Sequence, residues 1–187
     1  MSTFLLSFKK SSQNLSKIAP LCVCSMMLAL RIVLGMFSNF TLSFMPFVKI
    51  GFSFLPIVIV AYLYGPVCAG IVSGAGDILS IILANPTAFS IMPGITACYI
   101  LEGIIFGVIL FEKELSLKRI ITAFLCVLIL CRLPLNTLVL HTLMGIPYLE
   151  LLLYRALVLV PFLAVEITLS YFIIKALSKV PMLNKIK

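Results

Sequence analysis

Six long apolar runs account for most of this chain and constrain its fold more than any other feature. A helix that crosses a membrane needs about 20 mostly apolar residues, because the hydrocarbon core is about 30 Å thick and a helix rises about 1.5 Å per residue. The runs, separated by polar residues, Pro or Gly, cover residues 18–37, 50–64, 66–84, 93–111, 118–144 and 149–178. The sequence therefore predicts an all-α membrane protein built as a bundle of six transmembrane helices.

The composition argues against a water-soluble fold. Hydrophobic residues make up 63% of the 187 residues and charged residues only 11%, whereas roughly a quarter of the residues in soluble domains are charged. The mean hydropathy is +1.26. Six spans leave no room for a soluble catalytic or nucleotide-binding domain. We therefore expect a cytoplasmic N-terminal segment at 1–17, a single transmembrane domain at 18–178 and a basic cytoplasmic tail at 179–187.

The positions of Lys and Arg predict the orientation, since cytoplasmic flanks of membrane helices collect positive charge. With six spans, ten of the 14 positive charges fall on one side. They are Lys9, Lys10, Lys17, Lys113, Lys118, Arg119, Lys175, Lys179, Lys185 and Lys187. Only Lys49 falls in a loop on the other side. Both termini are expected in the cytoplasm of a multi-pass plasma-membrane protein. The net charge of +8 does not indicate nucleic-acid binding, because the basic residues flank apolar runs instead of forming a stripe.

Two predicted outer loops, residues 36–48 and 85–92, are rich in aromatic and apolar residues although loops normally carry polar ones. One interpretation is that they dip into the membrane interface as an aromatic belt. The other is that they form a lid that closes over a pocket. The sequence leaves both interpretations open.

Six charged residues remain inside the predicted spans, where a charge costs roughly 2.5–3.5 kcal/mol at the bilayer centre. They are Arg31, Asp77, Glu102, Arg132, Arg155 and Glu166. The three arginines are predicted to lie in the outer half, where a guanidinium offers a planar fork to the carboxylate of a small molecule from outside. Internal pairing is the alternative. We expect Glu166 to lie too deep to reach the arginines, whereas Glu150, five residues before Arg155, could neutralise that residue.

Other polar residues extend this predicted site. Arg132 and Asn136 are four residues apart and share a helix face. Thr96 follows Pro93 and Gly94 at the outer start of the fourth helix, where free backbone N–H groups favour an anion. The six cysteines and the single His141 offer neither a metal site nor a catalytic cluster, so no metal and no enzymatic activity are expected.

Several short motifs follow one another along the chain. They are KIGFSFLP at 49–56, Tyr64-Gly65-Pro66, Gly70, Asp77, Pro86, Met92-Pro93-Gly94-Ile95-Thr96, LNTL at 135–138, Gly145, Arg155 and Pro161. In this order they resemble the folate-family substrate-binding subunits, or S components, of energy-coupling factor (ECF) vitamin transporters. The resemblance covers about residues 18–175, nearly the whole chain.

The resemblance implies a subunit with cytoplasmic termini that captures a vitamin from outside, in a pocket near the outer face. It also implies a transmembrane coupling subunit of the EcfT type and two ATPase subunits as partners. ATP would be used by those partners, so no cofactor is expected in this chain, which carries no GxxxxGK[ST] phosphate loop. The family docks through an alanine-x-x-x-alanine pattern on the first helix, which here reads Ser25-x-x-x-Ala29.

Folate fits the predicted binding residues, because a flat ring stacks on aromatic side chains and a glutamate tail suits cations. The expected substrate-binding residues are Arg31, Lys49, Phe52, Asp77, Thr96, Arg132, Asn136 and Arg155. Asp77 or Glu102 is a candidate acceptor for the amino group of the ring. The segment 92–96 lacks two aromatic residues common in the family, so pantothenate stays an alternative ligand. A self-sufficient secondary transporter is the other alternative, although such proteins usually contain internal repeats.

Overall fold

The computed structural model describes residues 2–41, 51–84, 93–113, 116–145 and 147–179, and all its regular elements are helices. They are α1 (Ser2–Leu15), α2 (Ile18–Thr41), α3 (Phe54–Tyr64), α4 (Pro66–Ala84), α5 (Pro93–Leu110), α6 (Leu117–Val127), a π-helix (Leu128–Leu135), α7 (Asn136–Met144) and α8 (Tyr148–Ser178). The predicted all-α class is confirmed for the part of the chain that is described.

Five described stretches are long and apolar enough to cross a membrane. They are Ile18–Gly35, Pro66–Leu83, Pro93–Leu110, Leu117–Thr142 and Tyr148–Ser178. The second predicted span contains only the 11-residue α3, about 16 Å long, roughly half the thickness of a hydrocarbon core. The residues just before it, 42–50, lie outside the described ranges, so the count of six spans stays a prediction.

The short helix α3 is the centre of the bundle. Ten of its residues, all but Leu55, are buried, and it packs against α2, α4, α5 and α8. A helix that is apolar on every side is stable only when neighbours surround it. Pro56 is tolerated because it lies in the first turn, where the backbone N–H groups have no partner within the helix.

Helices α4 and α5 make the closest contact in the bundle, because glycines remove side chains from the interface. A Cβ atom at Gly107 would lie 2.3 Å from the Cα atom of Pro66, and one at Gly103 would lie 2.6 Å from the carbonyl oxygen of Ala69. Small residues allow such close packing of backbones in membrane helices. This contact fixes the start of α4 against the end of α5.

The N-terminal segment, expected only as a polar stretch, forms the helix α1 and packs against the same region. Ser11 is fully buried, and its hydroxyl oxygen accepts hydrogen bonds from the backbone N–H groups of Val67 at 3.0 Å and Cys68 at 3.3 Å. Ser11 therefore caps the start of α4 from a distant part of the sequence. Lys10 also forms an exposed ion pair with Glu112, 2.9 Å between Nζ and Oε1.

The expected outer loop at 36–48 is partly wrong, because α2 continues as a helix to Thr41. The remaining loop residues, the loop 85–92 and therefore the predicted lid lie outside the described residues. The predicted run 118–144 is also not one regular helix, because the π-helix, which contains Pro134, interrupts it. Wide π-turns are often found at functional sites, and this one carries Arg132 into the bundle interior.

Candidate functional site

A cavity lies at the end of the bundle where α3, α5 and α8 begin and α7 ends. Its volume, measured as the space that the centre of a water molecule can occupy, is about 130 Å³. Its wall is formed by Gly51, Ser53, Phe54, Ile57, Ile95, Tyr99, Glu102, Arg132, Asn136, Leu140, Arg155, Leu159, Phe162 and Glu166. The cavity borders the hydrophobic core at Phe54. The ring of Phe54 makes an edge-to-face contact with the ring of Phe124, with 5.9 Å between the centroids.

Arg132 is paired with two carboxylates in the cavity wall. Its Nε and Nη2 atoms donate to Oε1 of Glu102 at 3.2 and 2.5 Å, and its Nη1 atom donates to Oε2 of Glu166 at 2.6 Å. The side chains are nearly buried, with 15% exposure for Arg132 and 4% for each glutamate. We call these three residues the Arg132 triad. With both carboxyl groups ionised, the triad contains two negative charges and one positive charge, so it carries one excess negative charge.

This pairing corrects two expectations from the sequence. Glu166 was expected to lie too deep to meet the arginines, and that expectation is wrong, because it pairs with Arg132. The weighting of the arginines towards a ligand is corrected for Arg132, where the alternative of internal pairing holds. The 31-residue α8 spans Tyr148–Ser178, so Glu166 lies just past its middle, and the ion pair places it level with Arg132. Buried charges in a membrane bundle commonly pair in this way.

Arg155 differs from Arg132, because it has no carboxylate partner among the described residues. Its side chain is buried and lines the cavity. The Nη1 atom donates to Oδ1 of Asn136 at 3.3 Å, and the buried Nε atom has no hydrogen-bond partner. Glu150, the acid that could have neutralised it, is exposed and makes no ion pair with it in the described structure. Arg155 is therefore a buried cation that faces a cavity, and no described residue supplies its counterion.

Arg31, Asp77 and Thr96 lie beside the cavity wall and not in it. Arg31 is buried, its Nη1 atom donates to the carbonyl oxygen of Val72 at 3.3 Å, and its guanidinium carbon lies 5.2 Å from the ring centroid of Tyr99. Asp77 accepts a hydrogen bond from the hydroxyl of Thr96 at 2.8 Å, which joins α4 to α5. Tyr99 thus contacts Arg31 and also lines the cavity.

Of the other predicted site residues, some are exposed and one lies outside the described residues. Phe52 is 49% exposed and does not line the cavity, although its neighbours Gly51 and Ser53 do. Lys49 lies outside the described residues. The proposed docking residues Ser25 and Ala29 are both exposed on α2, and the hydroxyl of Ser25 donates to the carbonyl oxygen of Leu21 at 2.9 Å.

Sequence reasoning missed Tyr99 and Glu166 as cavity residues and gave Glu102 only a minor role. The sequence shows that Glu102 and Glu166 are acids inside apolar runs. When a whole helix is apolar, however, hydropathy does not indicate in which direction a side chain points. Tyr99 carried no signal at all in a chain with six tyrosines. The structure brings together Arg132, Asn136 and Arg155, three of the predicted binding residues.

Helices of membrane length around a cavity lined by charged side chains define the class of membrane-embedded proteins. The model of one family, the substrate-specific component of ECF transporters, matches residues 20–178. The chain belongs to this family, so it is a membrane transporter S component, as the sequence motifs predicted.

Within this family, the chain is similar to folate transporters. The folate transporter FolT of Clostridium novyi (strain NT) is 30% identical over 131 residues, which cover 70% of this chain and 73% of that protein. The crystal structure of FolT bound with folic acid superposes with a TM-score of 0.73 at 26% identity, over 84% of this chain and 93% of the other. The chain is therefore a homologue of a folate transporter and shares its fold.

Proposed function

We propose that this chain captures folate or a closely related anionic vitamin from outside the cell and presents it for ATP-driven import. The observation that carries the proposal is Arg155, a buried cation in the wall of a cavity that has no carboxylate partner in the part of the chain that the structure describes. An uncompensated buried charge is costly, and a carboxylate of the ligand would supply the missing partner in a bidentate geometry. The similarity to a folic-acid-bound relative supports folate as the ligand.

The remaining predicted residues have distinct proposed roles. Asn136 orients Arg155 through the hydrogen bond between them. Lys49 and Phe52 precede α3, next to the cavity residues Gly51 and Ser53, and are proposed to contact the ligand at the cavity mouth. Arg31 is proposed to support the ligand through Tyr99. Asp77 and Thr96 are proposed to hold the start of α5 in place through their hydrogen bond.

The source of energy is proposed to lie in other subunits. A transmembrane coupling subunit of the EcfT type would dock on α2, where Ser25 and Ala29 are exposed, and two ATPase subunits would hydrolyse ATP. The chain itself is proposed to act without a cofactor. Cytoplasmic termini are supported by the described cations at the end of the bundle away from the cavity, such as Lys10, Lys113 and Lys118.

Pantothenate is the second candidate, and one observation favours it. Ile95 lines the cavity in the segment where the folate family commonly has an aromatic residue. An aliphatic side chain offers less stacking surface for a flat ring, whereas it suits an aliphatic vitamin that also carries a carboxylate.

The deciding experiment is equilibrium binding of folate and pantothenate to the purified chain without partners, compared with two variants of the anchoring cation. Arg155→Met should weaken the binding of the true ligand by about 30-fold or more, since it removes a buried charge partner. Arg155→Lys should recover part of the affinity. Arg119→Met, on the exposed start of α6, is the matched control and should bind as the wild type does.

Tight binding of folate by the wild-type chain confirms the substrate, and tight binding of pantothenate alone replaces it. Arg155→Met binding with unchanged affinity would refute the role of Arg155. A wild-type chain that binds neither vitamin would contradict the proposed function itself.

A further inference from the structure

We propose that the Arg132 triad recognises the hydrogen-bond donor edge of the ligand's ring. In this assignment the unused carboxylate oxygens of Glu102 and Glu166 accept from the ring. Arg132 is then a positioning residue that holds both carboxylates and does not bind the ligand's carboxylate tail. The inference rests on the proposed function, because it assigns the two parts of one ligand to two parts of the same cavity.

The hydrogen bonds inside the triad leave two acceptor atoms unused. Arg132 occupies Oε1 of Glu102 and Oε2 of Glu166. Among the described residues, no hydrogen bond is made to Oε2 of Glu102 or to Oε1 of Glu166. Neither atom belongs to the fully buried side-chain atoms that lack a hydrogen-bond partner. Both glutamates line the cavity, so we infer that these oxygens face it. Nearly buried carboxylate oxygens require donors, and a ligand can supply them.

The charge of the triad excludes the carboxylate tail from this wall. Arg132 already meets one carboxylate at 2.5 Å and a second at 2.6 Å, so an approaching third carboxylate would be repelled by the excess negative charge. A neutral group with N–H donors would instead be attracted. The tail is better placed at Arg155, which has an unused Nε atom and no acid beside it among the described residues.

The chemical class that fits such a wall is a 2-amino-4-oxopyrimidine ring, as in a pterin. That ring presents an exocyclic amino group next to a ring N–H group, which is a pair of adjacent donors. Acidic side chains accept hydrogen bonds from the amino groups of nucleobases in the same way. Pantothenate has no pair of donors on a ring edge. The triad therefore selects for the ring, while Arg155 selects for the negative charge.

The test is a cycle that combines protein variants with a changed ligand. The ligands are folate and its 2-desamino-2-methyl analogue, which lacks the exocyclic amino donor. The wild-type chain should bind folate about 10 to 100 times more tightly than the analogue, the usual effect of one charge-assisted hydrogen bond. Glu102→Gln and Glu166→Gln should each lose most of this preference, by weakening folate binding about 10- to 100-fold and the analogue less than 3-fold.

Glutamine is an informative replacement, because its carbonyl oxygen will turn towards Arg132 and leave its NH₂ group facing the donors of the ring. Either replacement also leaves Arg132 with one carboxylate, which is a neutral pair, so the bundle should still fold. Arg132→Lys keeps the positive charge but loses the planar guanidinium that donates to both Glu102 and Glu166. It should also reduce the preference for folate over the analogue, a change that a purely structural role does not produce. Glu150→Gln, exposed and outside the cavity, is the matched control.

The outcomes separate this inference from the proposed function. If the wild type binds folate but each glutamine variant loses the same factor for both ligands, or loses nothing, the assignment of the triad is wrong and the proposed function stands. If the wild type binds no folate, the proposed function fails and the assignment fails with it.

Discussion

The two ends of the bundle solve the problem of polar groups inside a membrane in opposite ways. At the end that we call the closed end, formed by α1, the turn at Gly65 and the end of α5, the N–H groups of Val67 and Cys68 are capped by Ser11, and glycines bring backbones together. At the cavity end, whole charges are buried, and Arg155 has no carboxylate partner among the described residues. The closed end is held by backbone caps and close helix contacts, whereas the cavity end contains the buried Nε atom of Arg155, which has no hydrogen-bond partner among the described residues.

This difference predicts that variants at the closed end change stability without changing affinity, whereas variants at the cavity end change both. A ligand that binds only the folded chain should also stabilise it, by an amount that depends on its concentration relative to Kd. The chain contains no Trp, so circular dichroism of the helices is the suitable measure of unfolding. The following predictions run from the largest expected effect to the smallest.

Arg132→Met should cause the largest loss of stability, about 3–5 kcal/mol, because it leaves two buried carboxylates without a cation. A strongly lowered melting temperature in detergent is the expected result. The triple variant Arg132→Met with Glu102→Gln and Glu166→Gln removes all three charges and should recover most of that temperature. A single variant as stable as the wild type would show that the triad does not hold its charges in the way the hydrogen bonds indicate.

Gly107→Ala should destabilise the closed end by about 1–3 kcal/mol, the usual cost of overpacking. The new Cβ atom would lie 2.3 Å from Pro66 Cα, so helix backbones must move. Gly70→Ala is the matched control, since its Cβ atom would lie 3.2 Å from Cγ1 of Ile104 and 3.7 Å from both Cγ2 and the carbonyl oxygen of Ile100. The melting temperature should fall for the first variant and hardly change for the second. Weaker ligand binding by correctly folded Gly107→Ala protein would break the comparison between the two ends.

Ser11→Ala should have the smallest effect, about 1 kcal/mol, the typical loss for a helix cap. The replacement leaves the N–H groups of Val67 and Cys68 without their acceptor. Ser12→Ala removes the neighbouring, exposed hydroxyl and should leave the melting temperature unchanged. Equal melting temperatures for the two variants would mean that water or another group replaces the cap.

Much of the fold follows from hydropathy alone. The predicted runs at 66–84, 93–111 and 149–178 agree with α4, α5 and α8 to within one residue at each end, because their boundaries are marked by Pro, Gly and charged residues. The short α3 and the surface helix α1 were not distinguished in this way. Hydropathy measures how apolar a segment is, and it gives the same result for a helix that faces lipid and for one that other helices surround.

The candidate site could be predicted in part. Arg132, Asn136 and Arg155 were recognised because charged and amide side chains are unexpected inside apolar helices, and the structure places all three in the cavity wall. The partner of Arg132 could not be predicted. Counting residues gives the depth of a side chain along a helix but not its direction around the axis, and the π-helix at Leu128–Leu135 changes that direction relative to a regular helix.

The bond between Ser11 and the start of α4 has a consequence for the order in which the protein is made. Ser11 leaves the ribosome long before Val67 and Cys68 exist, and Lys10 must wait still longer for Glu112. At synthesis rates of about 5–20 residues per second, this delay is roughly 3 to 11 s for Ser11. The helix α1 therefore cannot make this contact until the start of α4 has been synthesised, and its ion pair with Glu112 forms only after α5.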